Sequence, residues 1–216
     1  MGPMIDGKWV NDDRISADTR GHFIRADSRF RHWITADGGA GPSGESGFRA
    51  EAGRYHLFVS PSCPWAHRTI IMRKLKQLEG VISMSMADRP KDEGWAYSEV
   101  IDDFRPCDDG VFRLYQVYAA ADANYSGKVT VPTLWDRERR TIVNNESSEI
   151  IRMFNAAFAA FTDVHYDFYP EDLRGEIDRI NDFVYSHFNN GVYRAGFARS
   201  QEAYDEAARK VFLCLD

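Results

Sequence analysis

Cysteine is scarce in this chain of 216 residues, which holds three: Cys63, Cys107 and Cys214. An odd number at wide spacing argues against a disulfide framework and fits a reducing compartment, the cytoplasm. Long apolar runs are missing as well. No stretch of about 18 apolar residues is available to span a bilayer, so no membrane partner is expected. The first residues, Met1 to Asp6, have neither the basic region nor the apolar core of a secretory signal. Asp6 stands where myristoylation wants Ser or Thr. Positive charge is in deficit, with 27 Lys and Arg against 33 Asp and Glu and a net charge of −6. A general nucleic-acid binder needs a basic face to neutralise phosphates, so that class is set aside. No metal cofactor is expected. What the chain does have is core material: 44% hydrophobic residues and 13% aromatics.

Residues 1–53 read as an ordered extension rather than a domain. Gly38 to Gly44 is a run of turn formers without apolar period, hence an irregular loop. Trp9, Phe23, Phe30 and Trp33 are scattered aromatics able to pin this arm to a folded body. The pattern changes at Tyr55-His56-Leu57-Phe58-Val59, a compact strand. Pro61 to Pro64 is a turn. A helix is predicted from Trp65, with Ile71, Leu75 and Leu78 on one face and Gly80 as its stop. Val81 to Met86 is the next strand. Strand, helix, strand in so short a span is a βαβ unit with parallel strands. Residues 87–128 are loop-rich, with a short helix around Phe112 to Tyr118. Val129-Thr130-Val131 leads into Pro132-Thr133-Leu134-Trp135, and Thr141-Ile142-Val143 closes a hairpin. A helix then begins near Glu146-Ser147 and runs through Phe154. The order βαβ-ββα is that of a thioredoxin-like domain, read here over residues 54–160.

From about residue 165 the chain reads as all-α. Pro170 suits a first helical turn. Leu173, Ile177, Ile180 and Val184 repeat at helical spacing, and Gly191 is expected to stop the run. Ser200 is an N-cap for a last helix with Tyr204, Ala207, Ala208, Val211, Phe212 and Leu215 on its apolar face. Two amphipathic helices cannot close a core by themselves, so residues 165–216 read as an incomplete helical domain.

Cys63 carries the chemistry. It follows a strand and opens a helix, where unpaired N–H groups and the helix dipole favour a thiolate. His67 and Arg68, one turn on, add to this if they face the sulfur. Ala66 occupies the position of the second cysteine in a C-x-x-C pair, so a mixed disulfide on Cys63 needs an outside thiol, and glutathione is the abundant one. The alternative for any lone cysteine is a small apolar core residue. That alternative is assigned to Cys107, as a loop thiol, and to Cys214, as core filler. Val131-Pro132 stands where thioredoxin-like folds place a cis-proline opposite the reactive cysteine, exposing the backbone of the preceding residue to a peptide-like substrate. An ordinary trans proline at a strand start is the other reading. Glu146-Ser147 at a helix mouth can hold a carboxylate and an ammonium, as on the γ-glutamyl end of glutathione; a plain N-cap also accounts for the pair. Tyr193, in a glycine-flanked loop, is a candidate proton donor to an aromatic leaving group, or equally a packed core residue.

Residues 54–68, with Ser62-Cys63-Pro64-Trp65-Ala66-His67-Arg68, resemble the active-site segment of glutathionyl-hydroquinone reductases, the xi-class or omega-like glutathione transferases. Val129 to Pro132, Leu134 to Asp136, Asn145 to Ser147, Ile150 to Asn155, Asn190 to Tyr193 and Ala195 to Ala198 are similar to the same family. The resemblance covers nearly the whole chain. It implies a glutathione-dependent reductase of glutathionyl-hydroquinones, working through a Cys63–glutathione mixed disulfide that a second glutathione resolves, with a helical C-terminal domain and a homodimer. It also implies that Trp95 lies along glutathione, that Val131 offers backbone hydrogen bonds, that Glu146 and Ser147 hold the γ-glutamyl end, and that Tyr193 lines the hydroquinone site. Two departures stand out. Lys128 replaces a typical Arg and keeps the charge without the planar fork. Family members also continue for roughly a hundred further residues, the size of a small domain, so the chain is expected to be a truncated form. The alternatives are a general glutathione-dependent thiol or dehydroascorbate reductase, and a non-catalytic glutathione-binding protein.

Overall fold

The computed structural model describes residues 2–12, 16–87, 93–97 and 112–216. Cys107 lies outside them. The chain forms two compact units, residues 1–13 with 28–167 and residues 14–27 with 168–216. No helix among the described residues is long and apolar enough to cross a membrane.

The first unit opens with two short strands, β1 (Pro3–Ile5) and β2 (Lys8–Trp9). Its body is built from β3 (Tyr55–Val59), α1 (Pro64–Leu75), β4 (Ser83–Met86), α2 (Leu114–Ala121), β5 (Gly127–Lys128), β6 (Thr133–Asp136), β7 (Thr141–Asn144) and α3 (Ser147–Ala156). Four strands form a mixed sheet in the order β4-β3-β6-β7. β3 runs parallel to β4 and antiparallel to β6, and β6 pairs antiparallel with β7. This is the thioredoxin-like arrangement. All five residues of β3 are buried, as a strand flanked on both edges requires, and its unbroken apolar run has that cause. β1 sits between β2 and β5 in a second, small sheet.

α1 packs on α3, but not through the stripe that periodicity picks out. Ala66 and Thr69 are its buried residues. Ile71 and Leu75 are nearly half exposed, whereas Leu78, past the helix end, is fully buried. Apolar residues lie on more than one side of α1, so spacing alone names no single buried face.

Residues 28–53 are threaded into the core of the first unit. Arg31 bridges to Asn144 at the free edge of β7, and the His32 N–H donates to the Val143 carbonyl at 2.9 Å. Ile34, Phe48 and Ala50 are buried with the sheet residues. The loop at Gly38 to Gly44 is irregular, as expected, and Gly41 is required there: a Cβ would stand 2.3 Å from the Trp33 Cβ. Beneath, Arg54 grips Asp136. Its Nε reaches both carboxylate oxygens at 3.1 Å, and Nη2 meets Oδ2 at 2.6 Å. Asp136 also accepts the N–H groups of Glu138 and Arg139, so its buried charge is fully paired.

The second unit contains α4 (Arg174–Val184), one π-helical turn (Tyr185–Asn189), α5 (Gly191–Gly196) and α6 (Gln201–Leu215). Two expectations are corrected here. Gly191 does not end the helical run; it opens α5. A Cβ on it would meet the Val211 side chain at 2.8 Å, so the missing side chain serves the close approach of α5 to α6. The apolar face of α6 is the expected one only in part: Ala207 is buried and Ala208 and Val211 are half-buried, as expected, but the face is shifted toward Ala203. Ala203 and Ala207 are buried, while Tyr204, Phe212 and Leu215 are about half or more exposed. Ser200 caps α6 as expected, its hydroxyl accepting the Ala203 N–H at 3.2 Å. Within this unit the segment 18–23 is tied to α6 by Arg20–Glu202 at 2.7 Å and by His22, which lies between Asp18 and Glu206.

Candidate active site

Cys63 caps the N-terminus of α1. Its backbone is extended (φ −102°, ψ 114°), Pro64 takes the first helical position, and its carbonyl accepts the His67 N–H at 2.9 Å. A turn built on Ser60 and Ser62, with hydroxyls 2.9 Å apart, leads into it. Ala66, one turn on, is fully buried.

The Cys63 Sγ donates to the carbonyl of Val131 at 3.5 Å. The Val131–Pro132 peptide bond is cis, in agreement with the sequence reading. A hydroxyl holds this segment from below. Tyr118, on α2 and fully buried, places its oxygen 3.0 Å from the Thr130 carbonyl and 3.2 Å from the Thr133 hydroxyl. The same oxygen accepts from the Thr130 N–H at 3.3 Å and from Asn145 Nδ2 at 3.2 Å. One phenol thus joins the residues flanking Val131–Pro132 to the residue preceding Glu146.

Glu146, not Ser147, is the N-cap of α3. Its Oε1 accepts the Ser148 N–H at 3.2 Å and the Ser148 hydroxyl at 3.0 Å. Its Oε2 accepts from the Ser28 hydroxyl at 3.1 Å. Ser147 is the first helical residue, and its hydroxyl caps nothing. It accepts Arg68 Nε at 3.0 Å and Arg68 Nη2 at 2.7 Å. Arg68 also approaches Glu146 Oε1 at 3.7 Å and lies over the Trp65 ring at 5.2 Å. The Arg68 guanidinium is thus directed at the mouth of α3, and His67 is exposed.

The other candidates lie as follows. Trp95 is buried, its carbonyl accepts the Leu114 N–H at 3.1 Å, and its indole N–H has no hydrogen-bond partner among the described residues. Lys128 is on β5, exposed, opposite Pro3. Tyr193 belongs to the second unit and sits on α5 rather than in a loop; the Arg25 guanidinium lies 5.2 Å from its ring centre. Cys214 is half-buried on α6. Tyr118 and Ser28 escape sequence reasoning, and Asn145 enters it only within the segment Asn145 to Ser147, with no role of its own. Nothing local marks a tyrosine in α2 or a serine 118 positions before its carboxylate partner as part of one constellation.

The glutathione S-transferase N-terminal domain model matches residues 62–157. Over 98% of this chain and 65% of the relative, the sequence is 53% identical to the glutathionyl-hydroquinone reductase YqjG of Escherichia coli K12. The glutathione-bound structure of that protein superposes with a TM-score of 0.85 at 49% identity, covering 99% of this chain and 64% of that one. A xi-class glutathione transferase from Natrialba magadii gives a TM-score of 0.85 at 42% identity, covering 100% and 63%. Over nearly its whole length the chain is similar to xi-class glutathione transferases. It spans just under two thirds, 65%, of the E. coli relative's length. It has a monothiol at the head of α1, a carbonyl facing that thiol, and a carboxylate beside a guanidinium at the mouth of α3.

Proposed function

We propose that this chain carries the thiol half-site of a glutathione-dependent reductase acting on glutathionyl-hydroquinones. The Cys63 thiolate attacks the glutathione sulfur of the conjugate. A Cys63–glutathione disulfide forms, the sulfur–aromatic carbon bond breaks, and the aromatic carbon takes the electron pair and then a proton from a tyrosine, Tyr193 in this reading. The thiolate of a second glutathione attacks the mixed disulfide, releasing oxidised glutathione and regenerating the Cys63 thiolate.

The carrying observation is the Cys63 Sγ at the head of α1, 3.5 Å from the Val131 carbonyl, with Ala66 where a resolving thiol would be. The helix N-terminus favours negative charge on that sulfur. The polar groups present fit glutathione. Val131 offers backbone to the peptide, Glu146 and Ser147 offer the zwitterionic end a carboxylate and a hydroxyl, Lys128 adds a cation, and the Trp95 indole N–H is a buried donor without an acceptor among the described residues. The E. coli relative is named for this activity and has been solved with glutathione bound. In this reading residues 54–160 are the glutathione-binding domain and 165–216 belong to the helical domain. The protein works in the cytoplasm, where glutathione is abundant and thiols stay reduced, as a homodimer, which size-exclusion chromatography with light scattering reads directly.

The test is turnover of a glutathionyl-hydroquinone in excess glutathione, followed by release of free hydroquinone and oxidised glutathione. Reduction of dehydroascorbate without reduction of the conjugate would move the assignment to a general reductase. Glutathione binding with neither turnover would reduce it to a binding protein.

A further inference from the structure

Residues 16–25 belong to the second unit and fold as a small hairpin. The Asp18 N–H donates to the His22 carbonyl at 2.9 Å, the Ile24 N–H to the Ser16 carbonyl at 2.8 Å, and Ala17 bridges antiparallel to Phe23. Asp18 sets the turn: its Oδ1 accepts the N–H groups of Arg20 and His22, each at 2.9 Å. The turn sits against the start of α6. The Gly21 carbonyl accepts the Arg199 N–H at 2.8 Å and the Arg20 carbonyl accepts the Ser200 hydroxyl at 2.7 Å.

The returning arm is in register with α5. Residues two apart in an extended segment point to one side, and residues four apart on a helix share a face. Phe23 meets Phe197, ring centres 5.3 Å apart, and two residues on the Arg25 guanidinium carbon lies 5.2 Å from the centre of the Tyr193 ring. The Tyr193 and Phe197 rings are 6.0 Å apart. The neighbouring charges have partners of their own. Arg20 pairs with Glu202, His22 lies between Asp18 and Glu206, and Lys210 pairs with Glu206. Asp205 accepts from Gln201, and His187 is turned to Phe183 and Ser186. Arg194, Arg199 and Arg209 are exposed.

We infer that Arg25 is a positioning residue for the proton donor of the proposed reduction, holding the Tyr193 ring and stabilising the phenolate formed when its proton is given up. This rests on the Tyr193 reading above. As the sulfur–carbon bond of the conjugate breaks, the aromatic carbon keeps the electron pair and takes the Tyr193 proton. The phenolate left beside the guanidinium regains a proton from water before the next turnover. A cation against the ring favours the anion over the neutral phenol, and a stronger acid passes its proton on faster.

Near-ultraviolet titration of the whole chain tests this, each protein being read as a difference from its own Tyr193→Phe derivative so that one phenol is isolated. Arg25→Gln is expected to raise the Tyr193 midpoint by about half a unit. It should also slow single-turnover hydroquinone release about two- to fivefold. Arg25→Lys returns the charge and brings the midpoint back toward wild type. Phe23→Leu loosens the hairpin but keeps the charge, and the midpoint stays. An unmoved midpoint in Arg25→Gln, or an equal shift in Phe23→Leu, overturns the inference. So does a shifted midpoint with hydroquinone release unchanged in a protein that needs Tyr193. If Tyr193→Phe itself releases hydroquinone at the wild-type rate, the parent reading of Tyr193 falls, a result that stands apart from every Arg25 variant.

Discussion

The Cys63 thiol donates to the Val131 carbonyl across 3.5 Å, bringing together residues 68 positions apart in the chain. The contact joins the head of α1 to the segment before β6. Removing the thiol removes the proposed nucleophile. Cys63→Ala is expected to lower turnover of a glutathionyl-hydroquinone by at least about 10³-fold, the scale seen when a nucleophile is deleted. It should also abolish the glutathione adduct detected by intact-protein mass spectrometry. Cys214→Ala, a change on the second unit's last helix, should leave both intact.

Tyr118 is the post on which the flanks of Val131–Pro132 and the approach to Glu146 are both hung. Tyr118→Phe keeps the ring and strands the N–H groups of Thr130 and Asn145 that its oxygen accepts. Leaving buried donors unsatisfied costs about 1–3 kcal/mol. Urea unfolding should show that loss. KM for glutathione should rise with it, because both segments proposed to face the ligand lose their common support.

Asp136 carries a fully buried carboxylate whose charge is matched by Arg54. Asp136→Asn keeps the shape and removes the buried counter-charge of the guanidinium, leaving it the more exposed carboxylates of Glu51 and Glu138. Breaking one side of a buried pair costs about 3–5 kcal/mol. The predicted result is a large fall in the unfolding midpoint, while Glu138→Gln, an exposed outer partner of the same Arg54, changes it little.

His56 gives the fold an acid limit. It lies inside the sheet with Nδ1 2.7 Å from the Ser83 hydroxyl and Nε2 3.0 Å from that of Ser85. Burial, reinforced by Arg137 and Arg73, pushes its pKa down to about 3 from 6.5. The folded state therefore holds a neutral imidazole where the unfolded chain binds a proton. The stability this contributes is complete above pH 6.5 and is lost as pH falls toward about 3. Its slope is about 1.4 kcal/mol per pH unit in that window. Urea midpoints measured from pH 7 to pH 4 should fall by that increment more in the wild type than in His56→Gln.

Much of the fold could be read from residue order. Tyr55 to Val59 is a strand at the residues expected, since a short β-branched and aromatic run bounded by turn formers has few other uses. Ser200 caps α6, and the cis-proline stands where the order of elements puts it. Other features needed the folded molecule. The expected face of α6 holds at Ala207 but not at Tyr204, Phe212 and Leu215, because apolar residues surround that helix and only its neighbours decide which of them are covered. Gly191 was misread because a glycine that ends a helix and a glycine that lets another helix approach look the same in one dimension.

By itself, then, the sequence determined that Cys63 opens a helix with alanine, not a second thiol, at position 66, because strand, turn and helix signals and the identity of residue 66 are all local. The tertiary structure alone decided what surrounds that thiol and the mouth of α3. Val131 faces Cys63, Tyr118 ties Thr130 to Asn145, and Arg68 turns to Ser147 and Glu146. These partners lie tens of residues apart, and hydrogen-bond geometry and burial, which choose among them, exist only once the chain has folded.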